Sequence, residues 1–227
     1  MSDGVKKEVD AMQFNTKSDF LYESLKDEII EGKLRSGERI IISDVAKRYN
    51  VSPMPIREAI NRLQQDGFVE VKPHVGARVA PFDPERHKEL MLIRTELEAL
   101  AVRLSAEHID EETLQKLEDN LKEMEECFKT KNNKKYGKLN REFHLTLYGA
   151  NPYKILYELI TSLWARSEFS RGVFERNPER NETSLAEHKA IVEALKNGDG
   201  EKAAQILRKQ KIEATAMYMK HYEESMQ

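Results

Sequence analysis

The sequence predicts a mainly helical protein in which three helices and a β-hairpin come first and an all-helical region follows. Apolar residues recur at helical spacing along most of the 227-residue chain. Two short strand-like runs, FVEV and ARVA, are joined by KPHVG, in which Gly76 permits a tight hairpin turn. The two-proline stretch APFDP, residues 80–84, is typical of a linker between the two regions.

Three helices are predicted before the hairpin. The first is SDFLYESLKDEIIEG with Ser18 as its cap, and the second is DVAKRYN with Ser43 as its cap. The third runs from about Pro55 to Asp66 and ends at Gly67. We therefore expect a first domain over residues 15–81, a linker over 82–86 and a second domain over 87–222.

The third helix has two distinct faces. Ile56, Ile60 and Leu63 recur at helical spacing and predict a buried face. Arg57 and Asn61 fall on a neighbouring face, and their side chains suit base edges or phosphates. Between residues 47 and 78 basic residues outnumber acidic ones by six to three, although the whole chain carries a net charge of -3. These observations favour nucleic-acid binding, although a solvated helix face explains them equally well.

The second region reads as helix to its end. Apolar stripes run from Leu90 to Leu104 and from Leu114 to Met124. The later predicted helices span Lys135–Tyr148, Tyr153 to about Arg171, Ser184–Lys196, and Glu201 to about Tyr222.

Composition limits the class of protein. With 39% hydrophobic and 34% charged residues the chain is globular, and its one cysteine, Cys127, fits a reducing cytoplasm. No stretch of roughly 18 apolar residues occurs, and the polar first residues do not form a signal peptide. We therefore expect a cytoplasmic protein without a membrane partner.

The first region resembles a known DNA-binding domain. The run ISDVAKRYNVSPMPIREAINRLQQDGFVEVKPHVGARVAP is similar to the winged helix-turn-helix of GntR-family transcription regulators. The resemblance implies contact with double-stranded DNA through the third helix and through the hairpin, or wing, in the minor groove. Because Ser43 and Pro53 stand where many relatives have arginine, base preference is expected to differ. The expected DNA-binding residues are Lys47, Arg48, Ser52, Met54, Arg57, Asn61, Lys72, His74 and Gly76.

The second region resembles the FadR-like ligand-binding domain, also called the FCD domain, an antiparallel helical bundle. IRTELEALAVRLSA, NREFHLTLYGANP and EHKAIVEALKNGD carry this resemblance. It implies a cavity for a small-molecule effector, with an arginine at Arg94 that binds an effector carboxylate. The expected effector-binding residues are Arg94, Asn140, His144, Arg166, His188 and Gln210.

Metal-containing relatives use an aspartate, a histidine four residues on, and two later histidines. His144 and His188 match, which makes zinc, nickel or manganese a candidate cofactor. Asn140 and Gln210 stand at the other two ligand positions, and amide oxygens are weak ligands for transition metals. The alternative is that His144 and His188 line the pocket and hydrogen-bond to Asn140 and Gln210.

The two resemblances together imply an effector-controlled transcription regulator, not an enzyme. It is expected to be a homodimer that reads a palindromic operator, with repression the commoner outcome in the family. One alternative is a helical metal-dependent hydrolase that uses His144 and His188 with Glu187 or Glu142. Another is a constitutive DNA-binding protein whose sensor pocket has decayed.

Overall fold

The computed structural model describes residues 16–72, 75–167 and 178–225. The chain divides into two compact units, Met1–Phe82 and Asp83–Gln227. The division falls within the expected linker, but Pro84 already begins a helix. Asp83 caps that helix by accepting hydrogen bonds from the backbone N–H groups of Glu85 and Arg86, both at 3.1 Å. The last three residues of the expected linker are therefore helical.

The first unit contains three helices and a small antiparallel sheet. The elements are α1 (Lys17–Ile30), β1 (Arg39–Ile40), α2 (Ile42–Tyr49), α3 (Pro53–Gln65), β2 (Val69–Lys72) and β3 (Gly76–Val79). The strand order is β1-β3-β2, with Ile40 opposite Ala77 and Val71 opposite Ala77 on its other side. The predicted hairpin is present. Sequence periodicity missed β1 because two residues are too few to show alternation.

The helix starts differ from the predicted ones. Thr16, not Ser18, caps α1: its hydroxyl accepts from the N–H of Asp19 at 3.1 Å, while Ser18 is buried inside the helix. Ser43 lies within the first turn of α2, whose N-cap is Ile41 without a side-chain bond. α3 begins at Pro53, two residues earlier than expected. Several polar residues near a helix start can serve as its cap, and the backbone conformation of the preceding residue decides which one does.

Apolar faces of α1 and α3 form the core of the first unit. Leu21, Leu25, Ile56 and Leu63 are fully buried, as is Phe68 at the entry to β2. Between α2 and α3 the chain turns at Asn50, whose φ of 51° is left-handed and whose N–H bonds the carbonyl of Ala46. This turn orients α3 so that its apolar face packs inward.

The second unit is a bundle of helices, with no strand among its described residues. The helices are α4 (Pro84–Ser105), α5 (Glu111–Lys129), α6 (Asn133–Gly149), α7 (Lys154–Ser167), α8 (Pro178–Lys196) and α9 (Gly200–Ser225). Short connections make α5 and α6, and α8 and α9, packed neighbours. α8 begins six residues before the expected Ser184, and the expected extension of α7 beyond Ser167 lies outside the described residues.

The bundle core is largely apolar, but α4, α6, α8 and α9 also contribute buried polar side chains. Ala99 and Val102 of α4 join a core that includes Leu117, Phe143 and Leu147, all fully buried. α4 also packs against α6, α7 and α9, which brings its buried polar residues to the middle of the bundle. None of the helices in the described part of the chain has a stretch apolar and long enough to cross a lipid bilayer.

Candidate functional site

α3 presents a polar face to solvent in the first unit. Its buried face is Ile56, Ile60 and Leu63, as predicted. Arg57 and Asn61, four residues apart, are exposed and make no side-chain hydrogen bond or ion pair within the described part of the chain. By contrast, Arg62 on another side of the helix is bound to Asp19 at 2.5 Å. Arg57 and Asn61 therefore keep their hydrogen-bonding groups available on one face of α3.

The start of α3 is exposed but offers fewer donors than an ordinary helix start. Ser52 is the N-cap residue, with extended backbone, yet its hydroxyl makes no capping bond. Pro53 and Pro55 lack N–H groups and so remove two of the four donors that a helix N-terminus leaves free. The remaining donors are the N–H groups of Ser52 and of Met54, whose side chain is 68% exposed. A phosphate at this end would therefore meet two backbone donors and a free hydroxyl.

The other expected DNA-binding residues fall into two groups. Lys47 and Gly76 are exposed, and Gly76 opens β3 with a φ of 91° that favours glycine. Arg48 is bound to Glu28 at 2.7 Å, and Lys72 lies 3.5 Å from Glu70, so both have a neighbouring carboxylate. His74 lies outside the described residues.

A buried carboxylate is the centre of the second unit's polar cluster. Glu98 is fully buried, and its Oε1 accepts hydrogen bonds from Arg94 Nε at 2.7 Å and from Trp164 Nε1 at 2.9 Å. Its Oε2 lies 2.8 Å from Lys211 Nζ and accepts from Tyr148 OH at 2.5 Å. We call Arg94, Glu98, Tyr148, Trp164 and Lys211 the Glu98 cluster. One carboxylate therefore serves two cations.

Charge in the Glu98 cluster shifts the pKa values of its members. Burial alone would raise the pKa of Glu98, but the charges of Arg94 and Lys211 outweigh burial and lower it to about 2. Burial lowers the pKa of Lys211 to about 8, against the opposing effect of Glu98. The indole ring of Trp164 lies 4.6 Å from the Arg94 guanidinium and 4.9 Å from Lys211 Nζ, so its face stabilises both cations.

His144 and His188 lie next to this cluster and to each other. Their Nε2 atoms are 3.1 Å apart, and Nδ1 of His144 lies 3.0 Å from Tyr148 OH. Both rings are buried. Burial, followed by the charge of Lys211, holds the pKa of His144 well below its ordinary value and lowers that of His188 to about 3. The two imidazoles are therefore neutral.

The structure brings together only some of the expected effector residues. Arg94, His144, His188 and Gln210 are all buried, but the histidines bond to each other and to Tyr148 instead of to Asn140 and Gln210. The expected hydrogen bonds from the two histidines to Asn140 and Gln210 are therefore absent from the described part of the chain, and that prediction was wrong. Nδ1 of His188 and both amide atoms of Gln210 have no hydrogen-bond partner within the described part of the chain.

Two further expectations need correction. Arg166 is exposed on α7, between the buried Trp164 and Ser167, so we leave it out of the site. The carboxylates that a hydrolase would need are also unsuitably placed. Glu142 is exposed, and Glu187 is bound to Arg180 at 2.9 Å. Neither carboxylate is positioned as a free general base.

The residues present do not fit a transition metal. Within the described ranges no group of three or more His, Cys, Asp or Glu side chains is arranged to hold an ion. Asn140 and Gln210 supply weak amide donors, and the nearby Lys211 and Arg94 add positive charge that opposes a cation. Two imidazoles alone fall short of the three protein ligands that catalytic zinc sites commonly use.

Sequence reasoning missed the residues that hold the cluster together. From the sequence, Glu98 is expected as a surface ion-pair partner of Arg94, and Trp164 as a core residue that could also line the cavity. Neither Tyr148 nor Lys211 is predicted as a site residue. The one local signal was spacing: Glu98 follows Arg94, and Tyr148 follows His144, by four residues, which places each pair on one helix face.

Comparison with known proteins gives consistent matches over both units. Residues 17–79 match the family of bacterial regulatory proteins, gntR family, and residues 89–210 match the FCD domain. The uncharacterized HTH-type transcriptional regulator YdhC of Bacillus subtilis (strain 168) is 33% identical over 185 residues, 81% of this chain and 83% of the relative. The HTH-type transcriptional regulator McbR of Escherichia coli (strain K12) is 29% identical over 181 residues, 78% of this chain and 81% of McbR. The solved structure of E. coli McbR/YncC is 26% identical with a TM-score of 0.78, covering 92% of this chain and 100% of that one.

Proposed function

The chain belongs to the GntR family of bacterial regulatory proteins and carries an FCD domain, and on this premise we propose how it reads DNA and what controls it. It is a DNA-binding transcription regulator. Two copies bind a palindromic operator in the cytoplasm, each placing α3 in a major groove and the β2–β3 hairpin against the adjacent minor groove. An organic acid bound in the second unit changes operator affinity and so relieves repression.

The free polar face of α3 is the observation that carries the DNA-binding part. Arg57 and Asn61 are exposed and lie one helical turn apart. Among the described residues neither side chain has a hydrogen bond or ion pair that would have to break when DNA binds. Arginine and asparagine are the side chains that bind guanine and adenine edges through paired hydrogen bonds, and both also bind phosphate. Lys47, in the last turn of α2, adds a cation with no ion-pair partner among the described residues. Arg48, in the same turn, would have to break its ion pair with Glu28 to bind a phosphate.

Replacing Arg57 tests the DNA-binding part. Operator DNA is first identified by mapping the sites that the protein binds on genomic DNA. Arg57→Ala is expected to weaken operator binding by about 1–3 kcal/mol at fixed salt, measured by fluorescence anisotropy, without lowering Tm. Lys116→Ala, at an exposed residue of α5, removes the same charge from the second unit and should leave affinity unchanged. Equal affinities for wild type and Arg57→Ala would exclude the α3 face.

An excess of buried positive charge supports an anionic effector. Arg94 and Lys211 share the single carboxylate of Glu98, and Arg180 is matched separately by Glu187. Among the described residues the Glu98 cluster therefore carries one uncompensated positive charge, and a buried charge without a counter-ion is costly. A bound carboxylate would neutralise it. The unpartnered amide of Gln210 and Nδ1 of His188 add hydrogen-bonding capacity for the rest of such a molecule.

Thermal-shift measurements with a panel of small carboxylic acids test the effector. A true ligand should raise Tm in a concentration-dependent way, whereas its uncharged amide should not. Arg94→Ala is expected to keep operator affinity and to blunt the response to the acid. A normal response in Arg94→Ala would remove Arg94 from the site. If no acid raises Tm, the constitutive DNA-binding alternative is favoured instead.

The second unit also exposes apolar side chains that suit a second copy of the chain. Ile155 and Leu159 are 74% and 49% exposed and lie one turn apart on α7, and Leu92 on α4 is 68% exposed. α4 and α7 pack against each other, so these side chains belong to adjacent helices. Light scattering should give the mass of a dimer for wild type and of a monomer for Ile155→Glu/Leu159→Glu. A monomeric wild type would contradict the proposed dimer.

A further inference from the structure

Five side chains form a continuous hydrogen-bonded series, which we call the relay: Lys211, Glu98, Tyr148, His144 and His188. Each link is short: 2.8 Å from Lys211 to Glu98, 2.5 Å to Tyr148, 3.0 Å to His144 and 3.1 Å to His188. The relay joins α9, α4, α6 and α8, so one set of bonds crosses the middle of the bundle.

The ionised carboxylate sets the direction of every hydrogen bond in the relay. A carboxylate only accepts, so the Tyr148 hydroxyl donates to Glu98 and its oxygen accepts from Nδ1–H of His144. Neutral His144 then has a lone pair at Nε2, which accepts from Nε2–H of His188. The remaining lone pair of His188 is at Nδ1, on the far side of its ring. The relay therefore specifies the tautomer of both histidines.

This proton order conflicts with metal binding. A metal needs a lone pair from each imidazole, directed at one point. The 3.1 Å between the Nε2 atoms resembles the spacing of two imidazoles on one ion, about 3.3 Å for tetrahedral zinc. In the relay, however, the Nε2 of His188 carries a proton. Moving that proton to Nδ1 leaves it without an acceptor within the described part of the chain.

Electrostatics opposes a metal in the same place. Lys211 and Arg94 sit around one carboxylate, and the positive charges of Lys211 and Arg180 act on both imidazoles. A divalent ion adds two more positive charges to a buried cluster whose described residues already have an excess of one positive charge. The Lys211 ammonium therefore already supplies a positive charge at the place where a metal ion would add one.

We propose that the His144–His188 pair of this chain is closed to divalent metal and that the Lys211 ammonium is the resident cation of the site. This proposal concerns the occupant of the site and does not depend on operator binding. A failed effector screen would leave it standing.

The direct test is calorimetric titration of tag-free, full-length protein with zinc, nickel and manganese salts. We expect wild type and the reference variant His188→Asn to bind each metal ion with the same affinity and stoichiometry, or not at all. Binding of equal strength in wild type and His188→Asn lies elsewhere on the protein and agrees with the proposal. One ion per chain that is lost in His188→Asn would overturn it.

Engineered variants test the part assigned to Lys211. Asn140→Asp/Gln210→His restores a carboxylate and an imidazole, but we expect weak zinc binding while Lys211 remains. Adding Lys211→Met should strengthen zinc binding about tenfold or more, because a positive charge has been removed. Equal zinc affinity with and without Lys211 would refute its role. Circular dichroism checks that both variants are folded.

The proton order has its own spectroscopic test, which needs only wild type and Tyr148→Phe. Long-range ¹H–¹⁵N correlation spectra distinguish the two tautomers of neutral histidine. We expect His144 protonated at Nδ1 and His188 at Nε2, and we expect Tyr148→Phe to change the His144 signal. The opposite tautomers in wild type would overturn the argument from which the proposal starts.

Discussion

Replacing Glu98 with glutamine isolates the electrostatic role of the buried carboxylate. The two side chains have nearly the same shape, so packing is retained while the charge is lost. Arg94 and Lys211 then lie 6% and 9% exposed without a counter-charge, and the new amide N–H₂ group faces donors on at least one side. Breaking a buried ion pair from one side costs about 3–5 kcal/mol of unfolding free energy. Because Glu98 is fully buried, solvent does not screen its interaction with the two cations, and the full cost is expected.

Chemical denaturation of the full-length protein measures this loss. A loss of that size lowers Tm by roughly 6–20 °C for a unit of this length. Glu89→Gln is the matched control, since Glu89 lies on the same helix but is exposed, and its change should stay within about 0.5 kcal/mol. If the unfolding free energy of Glu98→Gln lies within about 1 kcal/mol of the wild-type value, Glu98 does not stabilise the two cations and the proposed charge balance is wrong.

Lys211→Met should lower the unfolding free energy by about 1.5 kcal/mol or less, much less than Glu98→Gln, because Arg94 and Glu98 remain as a one-to-one ion pair. Chemical denaturation of the two variants measures the difference. Gly200→Ala should destabilise the protein by about 1–3 kcal/mol, because a Cβ there would lie 2.6 Å from a backbone oxygen of α4. Gly137→Ala should be neutral or stabilising, because no atom lies within 4 Å of a Cβ at that position. Between pH 7.5 and pH 5, His144 and His188 should together lower the stability by about 4 kcal/mol, about 2 kcal/mol each, and His87, whose pKa burial lowers to about 4, should add a further loss of about 2 kcal/mol. Their folded pKa values are lowered, so below about 6.5 the unfolded chain binds protons that the folded chain does not.

A Lys211→Met variant as unstable as Glu98→Gln would mean that Lys211 is not the surplus cation. For the glycines, equal stability of the two alanine variants would contradict the close approach at Gly200. For the histidines, His144→Asn/His188→Asn should lose the part of the acid sensitivity that these two residues contribute, and His221→Gln, at an exposed position of α9, should keep all of it. An unchanged pH slope in the double variant would contradict the assignment.

Local sequence signals placed most of the fold. The spacing of Ile56, Ile60 and Leu63 identified the buried face of α3, and Gly76 identified the hairpin turn, because both depend on residues near in sequence. Helix starts were less accurate. Pro53 and Pro55 both suit the first turn of a helix, and the sequence alone does not show which one lies at the first position.

The sequence by itself determined the two-unit helical organisation, the exposed polar face of α3 and the family resemblance, because periodicity and turn chemistry act over a few residues. Only the tertiary structure decided what surrounds Arg94. Its partner Glu98 is four residues away, but Tyr148 and Trp164, which bind the same carboxylate, lie 50 and 66 residues from Glu98. Burial and charge balance depend on such distant neighbours, so a spacing that is typical of a weak surface ion pair became the centre of a buried cluster.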